Sequence, residues 1–371
     1  MTERILITGG AGFIGSHLAD ALLAEGHAVR VLDNLTPQVH GDVTRPAYLA
    51  DDVELQVGDV RDPQAVARAL DGIDAVVHLA ARVGVGQSMY ELANYTMENS
   101  GGTAVLLEAL LDRPVRRLVV ASSMSIYGEG AYRTEDGRTI EPQERTREQL
   151  EADDWEPRGP DGERLVPVAT PESKRPALSS IYALTKYEQE RACLIFGAAY
   201  ALPTVALRFF NTYGTRQALS NPYTGVLAIF ASRLLNERRP LAYEDGLQRR
   251  DFVSVKDISR AICLALVEDE AAGHAINVGS GQSVTVSEVG ERLARTVGKP
   301  DLVPEVTGDY RAGDIRHCFA DISLARELLG YAPSVELEDG MAEIAEWLEG
   351  QVAEDRVDAA AEALAQRGLT L

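Results

Sequence analysis

Cysteine is scarce: three residues (Cys193, Cys263, Cys318) in 371, widely separated, with no Cys-x-x-Cys pair. That excludes a disulfide framework and a thiolate zinc knuckle, and it implies reduced, buried thiols in a cytoplasmic protein. Lysine is scarcer still relative to arginine, four of the 36 basic residues, so each lysine merits inspection. Basic charge as a whole is outweighed, giving a formal net charge of −21. Nucleic acid and anionic membrane surfaces are therefore poor partners. No apolar run approaches the ~18 residues that span a bilayer. The N-terminus opens directly on a strand pattern with no signal-peptide profile. Hydrophobic content of 45% is that of a chain able to bury a large core, with a soft prior of about two domains.

What is present begins at residue 5. Ile5-Leu6-Ile7-Thr8 reads as a buried strand, Gly9-x-x-Gly12-x-x-Gly15 as a turn, and the Leu18, Ala21, Leu22 spacing as a helix. In that context Gly9 allows the tight turn, Gly12 lets backbone approach a pyrophosphate, and Gly15 lets helix lie on strand. The helix start at Phe13 and Ile14 offers free N–H groups to phosphate. A second strand, Val29–Asn34, ends on Asp33, 18 residues after Gly15. A carboxylate there accepts from ribose hydroxyls and repels a 2′-phosphate, so NAD is favoured over NADP.

Strand and helix then alternate: Val53–Val60, a helix over Pro63–Leu70, Ala75–Ala81, a helix over Asn94–Leu111, and Arg117–Ser123. This rhythm predicts a parallel, doubly wound α/β sheet with nucleotide at the carboxyl ends of its strands. Residues 130–178 break it and read as an inserted flap. A helix from Tyr182 to about Ala199 and a strand from Thr204 to Phe210 follow. Beyond Gly214, helices at Val226–Asn236, Ile258–Val267 and Val286–Val297 alternate with short strands at Asp251–Val255 and Ala275–Val278. The expected division is 1–214 for the cofactor domain with its flap, 215–345 for a smaller mixed α/β substrate lobe, and 346–371 for a polar, Ala-rich helical tail.

Tyr182 and Lys186 lie four apart on a predicted helix and so share a face. A neighbouring ammonium favours phenolate and lowers the tyrosine pKa, giving a general base that acts as an acid in reverse. Ser123, at a strand end, can hydrogen-bond the same substrate hydroxyl.

Together with Gly58-Asp59-Val60, His78-Leu79-Ala80-Ala81, Asn99-x-x-Gly102-Thr103, Ser122-Ser123-x-x-x-Tyr127-Gly128, Arg208-Phe209-Phe210-Asn211-x-Tyr213-Gly214, Arg250-Asp251-Phe252-Val253 and Gly313-Asp314-Ile315-Arg316, these motifs resemble the extended short-chain dehydrogenase/reductase family, and within it the nucleotide-sugar epimerases. The resemblance runs from Ile5 to about Met341 and implies a Rossmann-type fold. It implies cofactor contacts from Gly9, Gly12, Phe13, Ile14, Gly15, Asp33, Asn34, Ser122 and Phe210. Asp59 and Val60 would meet the adenine, and Leu79, Ala80 and Ala81 would line the nicotinamide side. Asn99 would bend its helix and support Lys186 through water. Val85, Gly86, Gln87 and Ser88 would lie over the sugar, Asn211 would touch the diphosphate, and Arg250 and Arg311 would bind phosphate.

Ser123-Met124-Ser125-Ile126-Tyr127 carries no carboxylate, whereas the family's dehydratases and decarboxylases place one there. The reaction implied is 4-epimerisation of a dTDP- or UDP-linked sugar through a transient 4-keto intermediate, with NAD regenerated. A lyase or oxidoreductase on the same scaffold, and a non-enzymatic NAD-sensing regulator, are the alternatives. The segments VGVGQSMY (Val83–Tyr90), MSIYGE (Met124–Glu129) and QALSNPYTG (Gln217–Gly225) resemble a bacterial subgroup described as dTDP-L-rhamnose 4-epimerases. Some members carry Cys-x-x-Cys pairs in the insertion; this chain does not, so no metal is expected. The family also implies a homodimer built on the helices at Asn94–Leu111 and Tyr182–Ala199.

Overall fold

The computed structural model describes residues 2–311 and 313–370. Its centre is a seven-stranded parallel sheet formed by β1 (Arg4–Thr8), β2 (Ala28–Asp33), β3 (Glu54–Val57), β4 (Ala75–His78), β5 (Arg117–Ser123), β6 (Thr204–Phe209) and β7 (Ala275–Val278). The spatial order is β7-β6-β5-β4-β1-β2-β3. The order reverses between β1 and β4, and a crevice opens at the carboxyl ends of strands at such a switch point. Helices cover both faces, so the inner strands are apolar on both sides rather than alternating. Ile5 and Ile7 of β1 pack on one face with Leu18 and Leu22 of α1 (Phe13–Ala24) and Ile258 and Ile262 of α2 (Val255–Val267). Leu6 packs on the other with Val66, Leu106, Leu110 and Leu194, the last on α3 (Ile181–Tyr200).

The boundary expected at residue 214 is corrected by β7. Ala275–Val278 pairs in parallel with Ala206–Phe209 of β6, and α2 is the crossover that returns the chain to the sheet. The substrate lobe is therefore interleaved with the cofactor domain. Its own core joins Leu227 and Phe230 of the helix Val226–Leu235 to Val289, Leu293, Met341 and Ile344. The strand expected over Val53–Val60 is shorter, Glu54–Val57, because Asp59 turns the chain by accepting from the Arg61 N–H at 2.8 Å.

The insertion is an antiparallel sheet of Ala131–Thr134, Thr139–Ile140 and Leu165–Val168. Charge anchors it. Arg316, 1% exposed, pairs with Glu156 of the insertion at 2.6 Å, Glu244 at 3.0 Å and Asp245 at 2.5 Å. Among the described residues, no helix is long and apolar enough to cross a membrane.

Candidate active site

A cavity of about 650 Å³ lies along the carboxyl ends of the sheet strands and extends into the substrate lobe. The glycine turn forms its floor. Gly9 has φ +70°, and a Cβ there would come within 2.8 Å of Ala80 Cα. A Cβ on Gly15 would sit 2.4 Å from Gly10 Cα, so helix and strand touch only because it is absent. Gly12 differs, since its Cβ would meet only the Gly9 carbonyl at 3.3 Å, leaving the cavity side open. No side chain caps α1, so its first N–H groups remain available to an anion. Asp33 accepts from the Ala11 N–H at 3.0 Å and the Leu35 N–H at 2.9 Å, which ties the end of β2 to the turn. The Arg61 guanidinium, bonded to Asp59, holds that carboxyl at about 2. An open Gly12, an uncapped helix start and a carboxylate at the end of β2 fit a dinucleotide.

Ser123 ends β5, and Tyr182 and Lys186 stand in the first turns of α3, whose start is capped by Ser180. The Tyr182 phenol and Ser123 line the same cavity. Ser123 Oγ accepts from both the N–H and the hydroxyl of Ser125, at 3.2 and 2.9 Å. Its own proton is therefore free to be donated into the cavity. Burial raises the phenol pKa, and the Ser123 contact offsets part of that rise. This corrects the expected lowering by Lys186. The ammonium does not bond the phenol but donates to Gln189 Oε1 at 2.8 Å. Burial pushes Lys186 down to about 8.

Gln189 continues into a buried polar chain. Its Nε2 donates to Thr103 Oγ1 at 2.9 Å and to the Ala80 carbonyl at 3.3 Å. His78 bridges Thr103 at 2.9 Å and Thr8 at 2.7 Å, and burial takes its pKa down to about 3. Ser122 lines the cavity while its hydroxyl donates to Glu190 at 2.7 Å.

Of the expected site residues, Asn34, Val60, Leu79, Ala81, Val85, Gly86, Gln87, Phe210, Asn211, Arg250 and Arg311 line the cavity. Two do not. Ser88 is fully buried, donating to the Val85 carbonyl at 2.6 Å and accepting the Tyr182 N–H at 3.0 Å. Instead of facing a sugar, it fixes the start of α3. Asn99 sits in a π-helical stretch, Thr96–Gly101, so the expected irregularity is present. Its side chain is spent on the Arg82 N–H at 2.7 Å and Thr185 Oγ1 at 3.0 Å rather than directed at Lys186.

Asn211 Oδ1 has no partner among the described residues. Arg250 donates to the Arg316 carbonyl at 2.9 Å, and Arg311 pairs with Asp314 at 2.9 Å over the face of Tyr243. Sequence reasoning missed Gln189, visible as the i+3 partner of Lys186, and Gln248, whose Oε1 is without a partner among the described residues. It also missed four residues of the tail, Val357, Ala360, Ala361 and Leu364, which line the cavity.

The profile of the NAD dependent epimerase/dehydratase family matches residues 5–149 and 159–279. A dTDP-L-rhamnose 4-epimerase of Burkholderia thailandensis is 37% identical over 352 residues, 93% of this chain and 95% of the relative. Among solved structures, UDP-glucose 4-epimerase of Thermotoga maritima with UDP-glucose superposes with a TM-score of 0.76 at 30% identity, covering 93% of this chain and 98% of that one. UDP-glucose 4-epimerase of Thermus thermophilus in complex with NAD gives 0.74 at 30% identity, covering 94% and 100%. With that profile matching most of its length and a relative 37% identical over 93% of it, the chain belongs to the NAD-dependent epimerase/dehydratase family.

Proposed function

We propose that this protein is a nucleotide-sugar 4-epimerase acting on a dTDP- or UDP-linked sugar. The observation that carries the reading is that Ser123, Tyr182 and Lys186 line one cavity, beside a turn (Met124–Tyr127) that contains no carboxylate. Proton transfer at one hydroxyl is within reach of this set, whereas elimination of water would need a further acid or base there. Gly12, the start of α1 and Asp33 would hold NAD, which when bound supplies reversible hydride exchange at C4. Tyr182 takes the C4 hydroxyl proton and returns it once the transient ketone has turned its other face. Ser123 hydrogen-bonds that oxygen, and Lys186, held by Gln189, lines the same cavity. Asn211, Arg250 and Arg311 suit the diphosphate, as guanidinium forks match its oxygens.

The chain is also read as a homodimer and as cytoplasmic. The dimer is supported by apolar side chains exposed along the helices that carry Asn99 and Tyr182.

Incubating the purified protein with a panel of dTDP- and UDP-sugars, without added NAD, tests the reading by NMR. A C4 epimer formed at constant mass with no net NADH is expected. A product lighter by water or carbon dioxide would assign the chain to the lyase branch. Tyr182→Phe should retain cofactor and lose turnover by about 10²–10⁴.

A further inference from the structure

The segment Gly214–Asn221 carries the chain into the substrate lobe, yet it lies along the cofactor domain. Its first three residues follow one face of α1, where Phe13, His17 and Asp20 stand at i, i+4 and i+7. A Cβ on Gly214 would touch the Phe13 ring at 3.4 Å. The Thr215 carbonyl accepts from His17 Nε2 at 3.1 Å, and Arg216 pairs with Asp20 at 2.8 Å. Arg216 also lies 5.7 Å over the Tyr48 ring, and the Tyr48 hydroxyl donates to the Ala11 carbonyl of the glycine turn at 3.0 Å. The Arg216 backbone is left-handed, with φ +65°. A non-glycine residue holds that conformation only where its surroundings fix it. The far end of the segment is tied as well. Asn221 Oδ1 accepts from Gln38 Nε2 at 3.1 Å, and the same nitrogen donates to Gln87 Oε1 at 3.1 Å.

These attachments bracket the place that fits a dinucleotide. Phe13 opens α1, whose start no side chain caps, and Gln38 stands five residues past Asp33. Between the two ties, Gln217, Ala218 and Asn221 line the same cavity as Gly9, Gly12 and Asp33. A molecule seated on the glycine turn and Asp33 is therefore enclosed in part by this strap. The ties are an ion pair open to water, a cation over a ring and single hydrogen bonds, each modest alone. The strap is thus closed at rest and opens without unfolding either lobe. Retention matters to the chemistry, because a cofactor lost in mid-cycle would leave the ketone without its hydride.

We propose that Gly214–Asn221 is a clasp that retains NAD from one cycle to the next, closed by Arg216 on α1 and by Gln38 at the other end. This rests on the NAD-dependent epimerase reading above and adds what keeps the cofactor in place. Arg216, Asp20 and Gln38 are then positioning residues that act through the strap.

The test follows release of NAD from full-length protein purified with its cofactor, by exchange against radiolabelled NAD with no sugar present. Asp20→Ala, at a residue that does not line the cavity, should speed release by about threefold. Gln38→Leu should speed it by about fivefold. The double variant should give about the product of the two, since the sites share no partner. Asp20→Arg combined with Arg216→Asp restores the pair with its charges exchanged, and should return release to within about twofold of the wild type. Unchanged release in the double variant overturns the inference and leaves the epimerase standing. So does faster release that the charge exchange fails to reverse, because a general loosening of the fold would behave that way. Wild-type protein that takes up no NAD in calorimetry overturns the cofactor reading and this inference with it.

Discussion

Thr103 sets the direction of every proton in the buried chain behind Lys186. Its hydroxyl donates to the Asn99 carbonyl at 2.6 Å, so toward His78 and Gln189 it can only accept. His78 must then carry its proton on Nε2, leaving Nδ1 to accept from Thr8, whose oxygen accepts the Ala80 N–H at 3.3 Å. Gln189 is fixed the same way: Nε2 faces Thr103, so Oε1 faces the ammonium. Gln189→Leu removes the acceptor from a buried cation, an interaction worth about 1.5–3 kcal/mol. The expected result is a kcat lower by about 10–100-fold and an alkaline limb of the pH–rate profile moved to lower pH. Gln189→Glu should move that limb upward, and an unmoved limb in both variants would refute the positioning role. His78 gives a second outcome. Its folded pKa, about 3, lies below the ordinary 6.5. Below 6.5 the unfolded chain binds a proton that the folded protein refuses, so stability falls as pH drops. From this group the slope is about 1.4 kcal/mol per pH unit until about pH 3. Denaturant titrations of wild type and His78→Gln between pH 4 and 7 should show a steeper acid loss for wild type. Nitrogen-15 shifts should report the Nε2–H tautomer throughout that range.

At the scale of elements, the glycine turn separates what folding needs from what binding needs. Gly15→Ala forces a Cβ to within 2.4 Å of Gly10 Cα, an overpacking that costs about 1–3 kcal/mol and lowers the melting temperature. Gly12→Ala meets only one carbonyl oxygen at 3.3 Å. It should melt like the wild type yet bind NAD at least about tenfold more weakly, as calorimetry on cofactor-stripped protein would show. Such a division was legible because strand, turn and helix are contiguous. The strands from β1 to β6 were legible for a related reason: buried on both faces, they appear as uninterrupted apolar runs. β7 was not legible as part of the sheet, because four residues resemble any short strand and its partner β6 lies some seventy positions earlier. The insertion gave no period because Arg316 and its three carboxylates hold it, and ion pairs leave no repeat. Within the site, Tyr182 and Lys186 follow from helical spacing, and Gln189 was available by the same rule. Ser88 was assigned to the sugar and Asn99 to Lys186 because sequence shows that a side chain is polar but not where it points. Leu364 was obscured by the alanines around it, which read as generic helix.

For the molecule as a whole, two neighbouring helices leave apolar groups in water that no element among the described residues covers. Met97 is 58% exposed and Leu111 50% on the helical run that carries Asn99, and Leu184 is 38% and Ile195 60% exposed on α3. Single exposed leucines are ordinary, but an aligned set on adjacent helices marks an interface. Leu184 and Ile195 are eleven apart, three turns along one side of α3, with Glu188 and Arg191 between them. A two-fold partner presenting the same pair of helices would complete a four-helix bundle with a self-complementary contact. The opposite side of α3 holds Cys193 and Leu194 in the sheet core, and its first turns hold Tyr182 and Lys186. Dimerisation would thus brace the catalytic helix along the side the core does not reach. Sedimentation at micromolar concentration should give a species of twice 40.1 kDa. Ile195→Asp, which would bury an unpaired charge at that contact, should give a monomer with lower turnover and unchanged cofactor stoichiometry. A wild type that sediments as a monomer across the range used for activity would sink the dimer and leave these side chains as ordinary surface.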